Sequence, residues 1–148
     1  MGLLLCTLPL VGCPGPATHT QSSVDPGFGV SDVELLEVYT YRFSTSPQVV
    51  RRAVVTDRRE ISTWVAYLTD LPASPADPDP GELAGLETDG FRFHLRNGTS
   101  YEVTHLFRGR PDVLVWPDGT VMETDYGSPT GYSGELADPD DRPTAAIE

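Results

Sequence analysis

Phe91-Arg92-Phe93-His94-Leu95-Arg96-Asn97-Gly98-Thr99-Ser100-Tyr101-Glu102-Val103 is the stretch whose reading decides the fold. Apolar residues recur at every second position on both sides of Asn97-Gly98, the period of a strand with one covered face. A two-residue Asn97-Gly98 turn would set Phe93 opposite Glu102, apolar against acidic. A three-residue loop of Arg96, Asn97 and a left-handed Gly98 sets Phe93 opposite Tyr101 and Phe91 opposite Val103, so both apolar rows meet on one side. The stretch is therefore read as a β-hairpin with one buried face.

Downstream, residues 113–116 and 120–126 flank Pro117-Asp118-Gly119, and the same three-residue geometry pairs Leu114 with Met122. Upstream, residues 33–43 alternate, with Val33, Leu35, Tyr39, Tyr41 and Phe43 on one parity, and 49–55 is a second β-rich run. Between these runs and the hairpin, Asp57-Arg58-Arg59-Glu60 has the pattern of a capping box. Ile61, Trp64, Val65, Leu68 and Leu71 then fall at helical spacing and form one apolar stripe, until Pro72 and Pro75 stop the helix. Residues 73–89 hold three prolines and an acidic excess and read as an exposed loop. The expected fold is α+β: a small antiparallel β-sheet with one amphipathic helix, in the order β-β-α-β-β-β-β.

The chain has 148 residues and a formal charge of −12, unevenly spread. Residues 70–89 supply −6 and 127–148 supply −4, which leaves a mild charge on the rest. Acidic segments of this kind favour solubility and repel polyanions, so nucleic acid is not an expected partner. All ten basic residues are arginine.

Residues 3–11 form an apolar run too short to span a bilayer, which needs about 20 residues, but of the length of a signal-peptide core. It ends in Leu10-Val11-Gly12-Cys13, which resembles the bacterial lipobox. The resemblance implies removal of residues 1–12 as a signal peptide, a diacylglycerol thioether on Cys13, and export to the extracytoplasmic side of a membrane. Two acyl chains on one glycerol hold firmly where a single chain holds only marginally. Cleavage discards Cys6, so Cys13 is the only cysteine left and no intrachain disulfide can form. Residues 13–32 are rich in Pro, Gly, Ser and Thr and are expected to be a flexible tether; 33–126 is expected to be the single folded domain and 127–148 a disordered acidic tail.

Within the folded part, Asp57-x-x-Glu60-Ile61 leading into a helix, Phe91-x-Phe93-x-Leu95, Asn97-Gly98, Tyr101-x-Val103 and the run 116–122 resemble small domains of uncharacterised bacterial envelope lipoproteins. The likeness covers about residues 36–126. It implies a fold and a location, and no activity.

Few residues invite a chemical reading. His94 and His105, with Asp89 or Glu102, raise an acid–base or metal site, but no His-x-His or His-x-x-x-His pair exists, and both rings are expected to face solvent or to hydrogen-bond. His94 has the parity opposite to Phe93 and belongs on the outer sheet face. Asp77-Pro78-Asp79-Pro80 and Asp138-Pro139-Asp140-Asp141 space their carboxylates closely but lack the glycine turn and distal carboxylate of a calcium loop. No glycine-rich phosphate loop follows a strand, so neither a metal nor a cofactor is expected.

Arg51, Arg52, Arg58, Arg59, Arg108 and Arg110 are the candidate anion- or partner-binding residues, with local pairing to Glu34, Glu37 or Glu60 as the simpler reading. The functional expectation is a lipid-anchored cell-envelope protein that binds, without catalysis, an envelope protein or wall component. The alternative is an envelope hydrolase that uses His94 or His105 as general base.

Overall fold

The structure, a computed structural model, describes residues 22–44, 46–47, 49–129 and 131–143. Cys13 and the apolar run before it lie outside the described residues. Among the described residues, nine strands are formed: β1 (Ser22–Ser23), β2 (Val33–Arg42), β3 (Val50–Val55), β4 (Pro72–Pro75), β5 (Glu87–Leu95), β6 (Ser100–Phe107), β7 (Asp112–Val115), β8 (Val121–Thr124) and β9 (Glu135–Ala137). Helix α1 (Arg58–Asp70) lies between β3 and β4, and the single turn α2 (Pro80–Leu83) between β4 and β5. The strands make one antiparallel sheet in the order β1-β4-β8-β7-β6-β5-β2-β3-β9. No helix among the described residues is long and apolar enough to cross a membrane.

The hairpin that decides the fold has the expected register, Phe93 opposite Tyr101 and Phe91 opposite Val103, with Gly98 at φ +85°. Leu114 likewise faces Met122 across the β7–β8 turn. Helix α1 begins at Asp57, whose carboxylate accepts from the amides of Arg59 (2.9 Å) and Glu60 (3.1 Å). Its stripe of Ile61, Trp64, Val65 and Leu68 is buried. The stripe packs on Leu36, Val38, Phe91, Phe93, Val103 and Leu114, which share one face of the sheet. The α+β class with a dominant antiparallel sheet therefore holds. The expected order is not matched as it stands: β4 and α2 come between α1 and β5, and β1 and β9 are added at the two ends.

These additions correct three readings. The part of the expected tether that is described is packed: β1 pairs with β4, Val24 is buried, and the Phe28 ring lies 5.4 Å from Phe93 and 5.3 Å from Tyr101. The expected loop at 73–89 contains β4, α2 and the start of β5. In the expected tail, β9 pairs with β3, and the Tyr132 hydroxyl accepts from Trp64 Nε1 at 2.6 Å. One cause underlies all three. The sheet is covered on both faces, so segments without periodicity of their own are held by surfaces that other parts of the chain supply.

The second face buries Tyr39, Tyr41, Leu106, Val113 and Val115 under Leu83 of α2 and the C-terminal segment. That is why Leu36, Glu37, Val38 and Tyr39 are buried in succession rather than alternately. Asp79 caps α2 through the Gly81 amide (2.8 Å), and Asp138 caps a 3-10 turn at Pro139–Asp141 through the Asp140 amide (3.0 Å). Asp79-Pro80 and Asp138-Pro139 are thus helix starts, with proline at the first helical position.

Backbones approach closely where β9 joins the sheet. A Cβ on Gly134 would fall inside the backbone of Arg52. We expect Gly134→Ala to detach β9 and lower stability by about 1–3 kcal/mol, the range for overpacking a close contact. Denaturant unfolding, with amide exchange at 135–137, measures this; unchanged protection there would show that β9 contributes nothing to the sheet.

Candidate functional site

Beyond the apolar cluster beneath α1, the same face of the sheet turns polar. Along β2, Val38 gives way to Thr40; along β5, Phe91 to Asp89; along β6, Val103 to His105; along β7, Leu114 to Asp112. Here the sheet borders a cleft of about 1290 Å³, enclosed also by Phe43, Pro47 and Val49 and by Tyr132 of the C-terminal segment. Small-molecule sites occupy roughly 300–1,000 Å³. A cleft larger than that range has room for a short stretch of polymer or peptide.

Asp89 lines this cleft and is only 8% exposed. Its cross-strand neighbours are Thr40 on β2 and His105 on β6. Among the described residues nothing donates a hydrogen bond to its carboxyl and no cation pairs with it. Burial, helped by the charge of nearby Glu87, pushes the Asp89 carboxyl up to about 7.

Behind Asp89, His105 is fully buried, a correction to its expected solvent-facing or hydrogen-bonded place. Its Nε2 is 3.3 Å from Asp112 Oδ2, within ion-pair range, yet neither ring nitrogen is aligned for a hydrogen bond. Asp112 Oδ1 accepts from the amides of Arg108 (3.0 Å) and Gly109 (3.1 Å). Burial alone would raise Asp112, but the His105 ring and these amides outweigh it and hold the carboxyl below its usual range.

His94 lies on the opposite face, as its parity requires, in a network centred on Glu37. The Glu37 carboxylate is met by His94 Nε2 (2.9 Å), the Tyr39 hydroxyl (3.1 Å), Arg92 (3.3 Å) and Arg52 (3.4 Å), while Arg92 Nε reaches Glu102 at 2.5 Å. Burial opposes ionisation of Glu37, and these donors overcome it, so its carboxyl is lowered. Neither histidine is at the cleft. His105 is enclosed behind Asp89 and His94 is across the sheet, so the residue that a cleft ligand would touch is the aspartate.

The six candidate arginines do not converge. Arg51 and Arg52 are consecutive on β3 and point to opposite faces: Arg51 borders the cleft and donates to the Gly134 carbonyl (3.2 Å), while Arg52 joins Glu37. Arg58, the first residue of α1, donates to the Val33 carbonyl (2.6 Å), and Arg59 is exposed on the same turn. Arg108 sits between Glu123 (3.4 Å) and Glu82 (3.8 Å), with Arg110 exposed two residues on. No group of three or more metal-ligand side chains is assembled among the described residues.

Compared with protein-family models, curated proteins and solved structures, the chain matches none.

The sequence carries a signal for this site. Once β5 is extended back from Phe91 to Glu87, Asp89 stands on the same parity as Phe91 and Phe93, an acid in a core row, and His105 stands likewise in the row of Tyr101 and Val103. A strand read as starting at Phe91 leaves Asp89 in a loop.

The raised Asp89 carboxyl makes stability depend on pH. It binds a proton more tightly folded than unfolded, so its cost to the fold is absent at low pH and grows as pH rises from about 4 through about 7. An amide in place of the carboxyl cannot ionise. We expect Asp89→Asn to match the native protein near pH 4 and to exceed it by about 2–4 kcal/mol at pH 8. Urea unfolding at both pH values tests this, and a difference independent of pH would show the carboxyl to be well solvated.

Proposed function

We propose that the chain is an exported, lipid-anchored protein of the bacterial cell envelope, held on the extracytoplasmic side by lipid on Cys13. Its folded domain is a non-enzymatic binding module that seats another envelope component, protein or wall polymer, in the cleft bordered by Asp89. Two observations support this reading. Leu10-Val11-Gly12-Cys13 has the residue types that lipid transfer to a thiol requires, and the cleft presents a carboxyl that the fold leaves without a partner among the described residues.

The second observation carries the binding reading. A buried polar group left without a partner costs about 1–3 kcal/mol, and a ligand that donates to it recovers much of that cost. The cleft wall combines Phe43, Phe107 and Tyr132 with Ser44, Ser46 and Asp89, the mixture of apolar area and a few polar groups that orients a ligand.

We expect Cys13→Ser to move the protein from the membrane fraction to the soluble fraction, and mass spectrometry of the native amino terminus to find diacylglycerol on Cys13. An unmodified chain retaining Met1 would overturn the anchor. For the cleft, a photoreactive side chain at Ser46 is expected to crosslink an envelope component in intact cells. The same probe at Thr99, on the distant β5–β6 turn, is expected not to. Equal capture from both positions would overturn the assignment of the cleft.

A further inference from the structure

We infer that the ligand seated in this cleft carries a primary ammonium group and that Asp89 is the carboxylate that receives it. The inference rests on the cleft being the binding site and names the chemistry that enters it. It begins from the one carboxyl in the cleft wall that no described cation pairs with. The two guanidinium groups along its border are engaged elsewhere: Arg42 with Glu87 (3.6 Å) and the Gly85 carbonyl (3.0 Å), Arg51 with the Gly134 carbonyl. On the side away from the cleft, His105 is turned to Asp112 and donates nothing to Asp89. Glu87 is paired with Arg42, so the charged groups of the wall balance in number and only the Asp89 carboxyl stands without a cation. Among the described residues the fold therefore presents a buried acceptor and supplies no cation for it.

The shape of the opening selects among donors. A carboxyl that is 8% exposed between two strands offers a narrow approach. An ammonium is compact, with three rotatable donors on a flexible stem, whereas a guanidinium needs a broad planar face for its paired bonds. A hydroxyl fits the opening, but bonds between a neutral donor and acceptor are roughly half as strong as charge-assisted ones. Phe107 and Tyr132 line the same cleft, and aromatic rings attract cations as well as covering the apolar stem. The net charge of −12 attracts cationic ligands and repels anionic ones before contact.

Binding of an amine favours the ionised carboxyl, so affinity rises with pH through the titration of Asp89. The groups around Asp89 that could alter this are Glu87 on its own strand, Arg42 on β2, Arg51 on β3, His105 on β6, Asp112 on β7, and Tyr67 and Tyr132 packed over this face.

The test uses the full chain with three probes of equal length and different heads: pentylamine, pentan-1-ol and pentanoate. Backbone amide shifts at Asp89 and Phe107 are followed by NMR at pH 5.5 and pH 8. Pentylamine is expected to bind saturably at pH 8, at least tenfold more tightly than either other probe, and to weaken at least fivefold at pH 5.5. Asp89→Asn is expected to remove the preference for the amine. In the native chain, saturating pentylamine is expected to lower the titration midpoint of the Asp89 carboxyl carbon by at least half a pH unit, a measurement that needs no variant. Equal binding of pentanol or pentanoate, an unmoved midpoint, or an amine preference that survives Asp89→Asn would overturn the inference. Crosslinking from Ser46 that persists undiminished in Asp89→Asn overturns the ammonium while the cleft stands as the binding site. Absence of crosslinking from Ser46 in the native chain overturns both.

Discussion

Trp64 stands on Phe91 with ring centroids 4.3 Å apart, and the rest of the molecule is arranged around that contact. The indole fixes α1 on the centre of the sheet and is flanked edge-on by Tyr67 at 5.8 Å. Its N–H, which would be costly to bury unpaired, donates to the hydroxyl of Tyr132, a residue 68 positions away in sequence. One side chain thereby joins the helix, the hairpin and the C-terminal segment. Because Tyr132 is also a wall of the cleft, the interaction that closes the core shapes the site.

The two faces of the sheet handle buried acids in opposite ways. On one face, Glu37 is surrounded by His94, Tyr39, Arg52 and Arg92, and four donors offset its desolvation. On the other, Asp89 meets none of this. Both carboxylates belong to interior strands, β2 and β5, and are similarly little exposed, but more protein is packed around Asp89 and their neighbours differ. Glu37 is opposite Arg92, whereas Asp89 is opposite Thr40 and His105. Satisfied polar networks specify and stabilise a structure; an unsatisfied group beside an open cleft is a reserve of binding energy.

The cleft lies where the apolar rows covered by Ile61, Trp64, Val65 and Leu68 of α1 turn polar, at Thr40 on β2 and Asp89 on β5. The uncovered end of the sheet is then walled by connections rather than by a regular element, where ligand sites commonly lie on a rigid scaffold.

Local pattern was enough for the hairpin, the capped helix and the β7–β8 turn, because a period of 2 or 3.6, a left-handed Gly98 and the Asp57 cap act over a few residues. Placement of His94 away from the core followed from parity in the same way. The second covering layer was not legible there. Val24, Phe28, Leu83, Tyr132 and β9 sit in stretches dominated by glycine, proline and acids, and their order comes from partners far along the chain. The burial of Asp89 without a cation, and of His105 beside Asp112, likewise depends on which strands lie beside β5 and β6. By itself, the sequence determined the elements whose geometry is set by neighbouring residues. The tertiary structure alone decided which segments the sheet would hold and which acid would be left without a partner, because burial and charge compensation are properties of contacts between distant parts of the chain.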